Sequence, residues 1–432
     1  MNYNEAIDFL YNQLPMYQRV GAPAYKPGLD TCIHLAQAFD NPQNKFKSVH
    51  IGGTNGKGST AHTLAAIMQS AGYKVGLYTS PHLIDFRERI RINGEMISKE
   101  AVTNFVHRFR NMDLACSPSF FELTMIMAFE YFAMEKVDIA MIEVGLGGRL
   151  DSTNIITPEL CVITNISFDH MQFLGNTLES IAKEKAGIIK TGIPVVIGEA
   201  AGEVRKVFEH RAEEVHAPIV FADESPRFSS WTLTPQGICY NDTSAGDVTG
   251  VLKGEYQLKN TATILCAMEE LRAQGWKISD EAVRDGFAHV DSLTGLSGRW
   301  MKISDCPLTI CDTGHNEGGW QYLSRQISQS GNVKHLVIGF VSDKDVSHIL
   351  SLMPKNAKYY FTRPSIGRGM DENVLAEAAK KEDLHGEVFN DVKSAYCAAL
   401  SSAGDDDFIY VGGSTFVVAD FLSYLSEINA QR

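Results

Sequence analysis

The run Gly52-Gly53-Thr54-Asn55-Gly56-Lys57-Gly58-Ser59-Thr60 holds the four parts of a phosphate cradle. Glycines let backbone N–H groups wrap phosphate oxygens, a following helix adds the positive end of its dipole, a lysine supplies charge and a hydroxyl can reach Mg²⁺. The common spacing G-x-x-x-x-G-K-[ST] is broken twice: three residues separate Gly52 from Gly56, and Gly58 stands between Lys57 and Ser59. A short strand over 48–51 and a helical composition over 60–70 flank the run, which favours a phosphate loop over a glycine turn with a solvated lysine.

Polar groups recur where other apolar stretches end. Glu143 closes the strand-like run DIAMIEV, at the place where open α/β sheets hold ligands; the plain alternative is an acid that caps the strand and pairs with Arg149. The glycines that follow do not complete a dinucleotide fingerprint, because Leu150 occupies the third glycine position, so nicotinamide chemistry is disfavoured. Asp169 and His170 follow CVITNIS. The lysine-rich segment over 181–190, with Lys185 at its centre, reads by default as a solvated lysine face over an Ala/Ile core side. Arg299, Asp312-Thr313-Gly314-His315-Asn316 and Asp343-Lys344-Asp345 complete the polar sets. With no G-x-S-x-G elbow, no H-E-x-x-H and no Cys/His pairing, a protein nucleophile and zinc lack support. The reaction is expected to run on a nucleotide.

These groups need a scaffold of α/β type. Apolar runs over 74–78, 137–144 and 160–166 read as buried strands and 119–134 as a buried helix, which predicts a mostly parallel sheet covered on both faces. The chain opens with helical spacing of Ile7, Leu10, Tyr11 and Leu14, then a Pro/Gly-rich loop over 15–28. Short Thr/Ser/Trp/Tyr-rich runs over 218–247 predict a small antiparallel excursion, and helical periodicity resumes over 260–274. The Ser/Gly-rich stretch 292–298 is the linker candidate. Beyond it, strands over 308–311, 335–339, 359–361 and 408–411 alternate with helical segments. The chain is therefore expected to divide into residues 1–293 and 294–432, the second a smaller α/β unit.

Composition narrows the class. A length of 432 residues suits two or three domains at roughly 150 residues each. With 44% hydrophobic and 21% charged residues the chain can bury a large core, and global disorder is excluded. Lys and Arg number 39 against 52 Asp and Glu, a net charge of -13 that repels a nucleic-acid partner. The eight cysteines are scattered without a C-x-x-C pair and read as reduced thiols. The N-terminal MNYNEAIDFLYNQL lacks the basic region and apolar core of a signal peptide, and no stretch approaches the roughly 18 apolar residues of a membrane span. A cytoplasmic protein without a membrane partner is expected.

In chain order the motifs are HIGGTNGKGST (50–60), YTSPHL (78–83), SFFELT (119–124), IEVGLGGRLDSTN (142–154), ISFDHMQFLG (166–175), IAKEKAGIIK (181–190), LKGEYQLKN (252–260), GRW (298–300) and DTGHN (312–316). Each alone is weak. Together they resemble the Mur ligase superfamily over nearly the whole chain, and TSPHL, SFFELT and EVGLGGRLDSTN are similar to its folate branch rather than its peptidoglycan branch.

The resemblance implies a P-loop ATPase domain of Mur-ligase type with a mostly parallel sheet, then a smaller C-terminal Rossmann-like domain that completes the nucleotide and glutamate site. It implies that Asn55, Gly56, Lys57 and Gly58 hold the ATP phosphates, with Ser59 at the hydroxyl position. Ser80 and Glu143 would bind a first Mg²⁺, and Glu143 with His170 a second. Lys185 matches a lysine that the family carbamylates. Ser119, Phe120, Phe121 and Glu122, with Leu150, Asp151 and Ser152, would contact a pterin substrate. Asn260, Arg299 and Asp312 would bind the nucleotide from across the cleft, and His315 would lie near the reacting phosphate.

The implied reaction couples a carboxylate to L-glutamate at the expense of ATP. The γ-phosphoryl moves to the carboxylate of dihydropteroate, or of a folate tail such as that of tetrahydrofolate, and the amine of L-glutamate attacks the acyl phosphate. Such an enzyme acts on small molecules and is expected to be a monomer. The chain departs from the family's D-x-A-H-N-P at Gly314 and Glu317, which is expected to loosen the loop of His315. Two other readings use the same glycine loop: a Mur-type ligase that adds an amino acid to a UDP-linked peptide, and a P-loop nucleotide switch without ligase chemistry.

Overall fold

Strand β1 (Lys47–Gly52) is buried from Ser48 onward and runs straight into the glycine loop. The computed structural model describes residues 1–16, 28–114, 116–342 and 344–431; most of the loop expected over 15–28, and Asp343, lie outside the described residues. β2 (Val75–Tyr78), β3 (Ile90–Ile92), β4 (Glu95–Met96), β5 (Ile139–Glu143), β6 (Leu160–Ile163), β7 (Val195–Ile197) and β8 (Ile219–Phe221) join β1 in one sheet of order β4-β3-β2-β5-β1-β6-β7-β8. β3 and β4 are antiparallel additions to an otherwise parallel sheet. The apolar, unbroken strands suit burial on both faces. In the register Ile51 lies beside Glu143 and Gly52 beside Ile163, so the loop, the acid and the segment after β6 leave the sheet together.

The helix Lys57–Ser70 is buried at every position from Gly58 to Met68, because the sheet covers one side and the helices Gln257–Ala273 and Asp280–Ala288 cover the other. The approach at Gly286 is close: a Cβ there would come within 2.6 Å of the Ile67 backbone. Such contact leaves room for glycine alone. Residues 218–247 differ from expectation in part. Ile219–Phe221 extends the main sheet as its edge strand, since three apolar residues are too few to reveal a period. The antiparallel piece begins later, with β9 (Ser230–Leu233), β10 (Ile238–Thr243) and β11 (Gly246–Gly250).

The second sheet contains β12 (Met301–Asp305), β13 (Leu308–Asp312), β14 (Lys334–Ile338), β15 (Lys358–Thr362), β16 (Gly386–Phe389) and β17 (Phe408–Gly412) in the order β12-β13-β17-β14-β15-β16. Only β12 is antiparallel to its neighbour. Between the two sheets, Val290–Thr294 is a short helix whose buried Thr294 hydroxyl lies 2.8 Å from His62 Nδ1, so position 293 is helical. Irregular backbone follows, with left-handed Gly295 (φ 70°) and Gly298 (φ 71°). The architecture is α/β: a mostly parallel eight-stranded sheet and a smaller, mostly parallel six-stranded one. No helix among the described residues is long and apolar enough to cross a membrane, and their eight cysteines are unbridged.

Candidate active site

The glycine loop is fixed by the segment after β6. Asn55 N–H donates to Asn165 Oδ1 at 3.0 Å, while Thr164 Oγ1 and Asn165 Nδ2 donate to the Asn55 carbonyl at 2.5 and 3.1 Å. Gly53 (φ 130°) and Gly56 (φ 85°) hold backbone that side chains rarely adopt. A Cβ on Gly53 would sit 1.9 Å from Thr164 Oγ1 and 2.9 Å from its backbone nitrogen. Gly53→Ala is therefore expected to weaken ADP binding by about fivefold to 100-fold in calorimetry, from the ~1–3 kcal/mol a strained backbone costs. Unchanged affinity would remove this loop from the nucleotide site.

Two lysines share one carbonyl in that loop. Lys57 Nζ donates to Gly53 O at 3.1 Å and to Thr54 O at 3.0 Å, and Lys185 Nζ donates to Gly53 O at 2.9 Å. The solvated face expected around Lys185 is corrected: Lys185 is 4% exposed, on the inward side of the helix Leu178–Ala186, and only its neighbour Lys183 faces solvent. Burial, then repulsion from Lys57, depresses its pKa to about 7. Glu143 is 4% exposed; one oxygen accepts the Ser80 N–H at 3.0 Å, and the other has no hydrogen bond among the described residues. Burial raises its pKa, against the pull of Lys57, the Ser80 N–H, Arg299 and Arg89. Arg149 does not pair with it, being bound to Glu184 at 2.8 Å.

Groups from the second sheet cross to meet these. Asp169 accepts from Lys344 Nζ at 2.5 Å and Asn316 Nδ2 at 3.2 Å and lies 3.3 Å from His315 Nε2. Burial alone would raise its pKa, but His170, Lys344 and His315 hold it well below the usual carboxylate range. Asn316 Nδ2 also donates to Asn55 Oδ1 at 2.8 Å. His170 (φ 49°) is left-handed, its N–H held by Asp169 Oδ1 at 2.8 Å, and burial lowers its pKa to about 4.

The loop of His315, expected to be loosened at Gly314, is held by hydrogen bonds in this structure. Gly314 N–H donates to Asp312 Oδ1 at 2.7 Å, His315 Nδ1 lies 3.0 Å from Thr313 O, and a Cβ at 314 would meet Leu323 Cδ1 at 2.4 Å. Glu317 opens the helix Glu317–Ser328, capped by Asn316. Asp312 Oδ2 accepts from Tyr256 Oη at 2.5 Å and Trp300 N–H at 2.6 Å, which fixes Arg299 next in sequence. Asn260 donates to Gln257, and Gln257 to Ser59 Oγ at 3.2 Å.

Ser119 and Glu122 form a capping box on the helix Phe120–Met134, and Asp151 accepts from Leu146 N–H at 2.8 Å and Thr153 N–H at 3.0 Å. These bonds set the wall that Phe120, Phe121, Leu150 and Ser152 share with them. All the residues singled out above for phosphate, metal, pterin and cross-cleft contacts line one cavity of about 490 Å³.

The residues at Ser80, Glu143 and His170 fit a hard divalent cation. Among the described residues the buried Glu143 has one oxygen without a hydrogen bond and no salt bridge, burial keeps His170 neutral, and Ser80 lines the same cavity and holds Glu143 through its backbone N–H. Among the described residues no three His, Cys, Asp or Glu side chains are grouped to hold a metal ion.

Sequence reading assigned no role to Arg89, Tyr256 or Gln257; Tyr256 and Gln257 lie inside LKGEYQLKN, and the one signal for Arg89 is its nearness to TSPHL.

The chain matches the Mur ligase middle domain over residues 51–268 and the Mur ligase glutamate ligase domain over 298–415. It is 33% identical over 421 residues to the dihydrofolate synthase/folylpolyglutamate synthase of Bacillus subtilis, covering 91% of this chain and 94% of that one. The solved structure of E. coli FolC in complex with DHPP and ADP matches with TM-score 0.84, 30% identity and 99% of each chain covered. A bifunctional folylpolyglutamate synthase/dihydrofolate synthase with Mn, AMPPNP and L-glutamate bound matches with TM-score 0.81 and 31% identity, over 99% of this chain and 98% of that one.

Proposed function

Since the chain belongs to the Mur ligase family, we propose a residue-level account of its reaction. It is an ATP-dependent ligase that couples L-glutamate to dihydropteroate and to folate glutamate tails, with ATP and divalent metal as cofactors. The observation that carries the reading is the single cavity whose walls hold the glycine loop, Glu143 and the Phe120–Ser152 wall together.

A free carboxylate is a poor acyl donor, because its oxygens do not leave. Phosphorylation makes one of them a leaving group, and L-glutamate displaces it to give the amide, ADP and phosphate. The protein's share is positioning and charge, as phosphoryl transfer requires. Asn55, Gly56, Gly58 and Ser59 present backbone and hydroxyl groups to the triphosphate. Lys57 leaves the Gly53 and Thr54 carbonyls to meet it. Asn260, Arg299 and Asp312 form the far wall of the nucleotide. Ser119 to Glu122 and Leu150 to Ser152 hold the pterin end.

Two Mg²⁺ ions at Ser80, Glu143 and His170 would offset charge shared by triphosphate and carboxylate. Lys185, whose pKa is depressed to about 7 so that a large fraction is free amine at neutral pH, is the amine that CO₂ would carbamylate, and His315 faces the transferred phosphate. Residues 1–293 and 294–432 act as two bodies closing over the acyl phosphate, about the glycine-flanked segment 295–298. The active unit is a cytoplasmic monomer.

A co-substrate matrix tests this. ADP should appear only when an acid (dihydropteroate or tetrahydrofolate) and L-glutamate are both present with ATP and Mg²⁺. ADP release without an acid would favour a nucleotide switch, and turnover restricted to UDP-linked peptides would favour another Mur-type ligase.

A further inference from the structure

Arg89 is 2% exposed, one of the largest fully buried side chains in the molecule, and it lines the cavity. Its one side-chain hydrogen bond among the described residues runs from Nε to His82 Nδ1 at 2.7 Å, and it has no salt bridge. Because Nε–H can only donate, His82 must carry its proton on Nε2, which lies 3.2 Å from Tyr11 Oη. Burial keeps His82 neutral. The guanidinium stacks over Phe120, 5.2 Å from the ring centroid. Phe120, Tyr11 and His82 thus fix the plane of the fork, while Nη1 and Nη2 have no hydrogen-bond partner among the described residues.

A buried cation without a counter-ion is costly unless a ligand supplies one. Glu143 exerts only a through-space pull and is not within salt-bridge distance. Arg89 touches the Phe120 wall at one end and feels the metal-side acid at the other, which is where the acid group of a pterin-type substrate must lie to meet the triphosphate. We propose that Arg89 binds the carboxylate of the acid substrate, fork to carboxylate, and holds it for phosphorylation. The inference rests on the ligase reading above and names the group in this chain that selects an anionic acyl donor.

The test compares binding of dihydropteroate with that of its carboxamide by calorimetry. The wild-type protein should prefer the acid about 100-fold. Arg89→Met should reduce that preference to within about threefold while ADP affinity, the control for folding, stays unchanged. A folded Arg89→Met that keeps the full preference overturns the proposal. Should Arg89→Met lose ADP binding, Arg89→Lys decides: a fall in preference of about fivefold or more supports the fork geometry, and an unaltered preference overturns it. If neither compound binds the wild-type protein, the ligase reading itself fails, and that result is distinct from retained preference in the variant.

Discussion

A Lys57→Met variant is expected to lose roughly 10³-fold in kcat/KM, the range seen when a preorganised charge at a transferring phosphoryl group is removed. The side chain already lies in the loop, held by the Gly53 and Thr54 carbonyls at 3.1 and 3.0 Å. Its shift to phosphate exchanges two neutral acceptors for a polyanion, an interaction that grows as charge moves onto the leaving ADP. The loss should therefore fall mainly on kcat, because Asn55, Gly56 and Gly58 still bind nucleotide through backbone. Steady-state kinetics with varied ATP would check it; a variant with a raised KM and normal kcat would make Lys57 a binding group only.

Lys185→Ala is expected to abolish measurable ligase turnover. An ammonium in that position repels both Lys57 and metal ions, whereas a carbamate attracts both. Two readouts separate this from simple structural damage. Carbon-13 NMR after equilibration with labelled bicarbonate should show a carbamate resonance in the wild-type protein that is missing in the variant. Added short carboxylates should restore part of the variant's activity. Near-normal turnover without such additives would refute the proposal.

The same lysine governs a stability term. Its pKa of about 7 in the folded state lies below the ordinary 10.5. Between those values the unfolded chain binds more protons, so stability rises with pH across that window, and the penalty is fully present below about pH 7. In CO₂-free buffer Lys185→Met should gain on the order of a few kcal/mol over wild type at pH 6, and this gain should vanish towards pH 10.5. Denaturant melts at both pH values measure it.

Much of this site can be read along the chain, because its groups stand where strands stop. Gly52, Glu143 and Asp312 end β1, β5 and β13, and an apolar run that closes on glycine or acid is visible without coordinates. What stays hidden depends on packing. Lys185 looks like its neighbour Lys183, and only the roll of the helix Leu178–Ala186 against Gly53 buries one and exposes the other. Arg89 belongs to a charged run, FRER, that reads as surface until His82 and Phe120 fold over it. β16 is mostly exposed, so it lacks the apolar pattern that revealed β14, β15 and β17. At Gly314 the hydrogen bond to Asp312 and the close approach of Leu323 are likewise products of packing that the local sequence does not show.

The place of β1 between β5 and β6 also sets a timetable for the nascent protein. The glycine loop leaves the ribosome early, yet the residues that brace it, Thr164 and Asn165, follow β6, which at common elongation rates means a delay on the order of ten seconds. Asn316, which ties Asn55 to the other sheet, emerges later still. An elongating chain therefore carries an unbraced phosphate loop until β6 has emerged, and ATP can act as a folding ligand only once the sixth strand has docked.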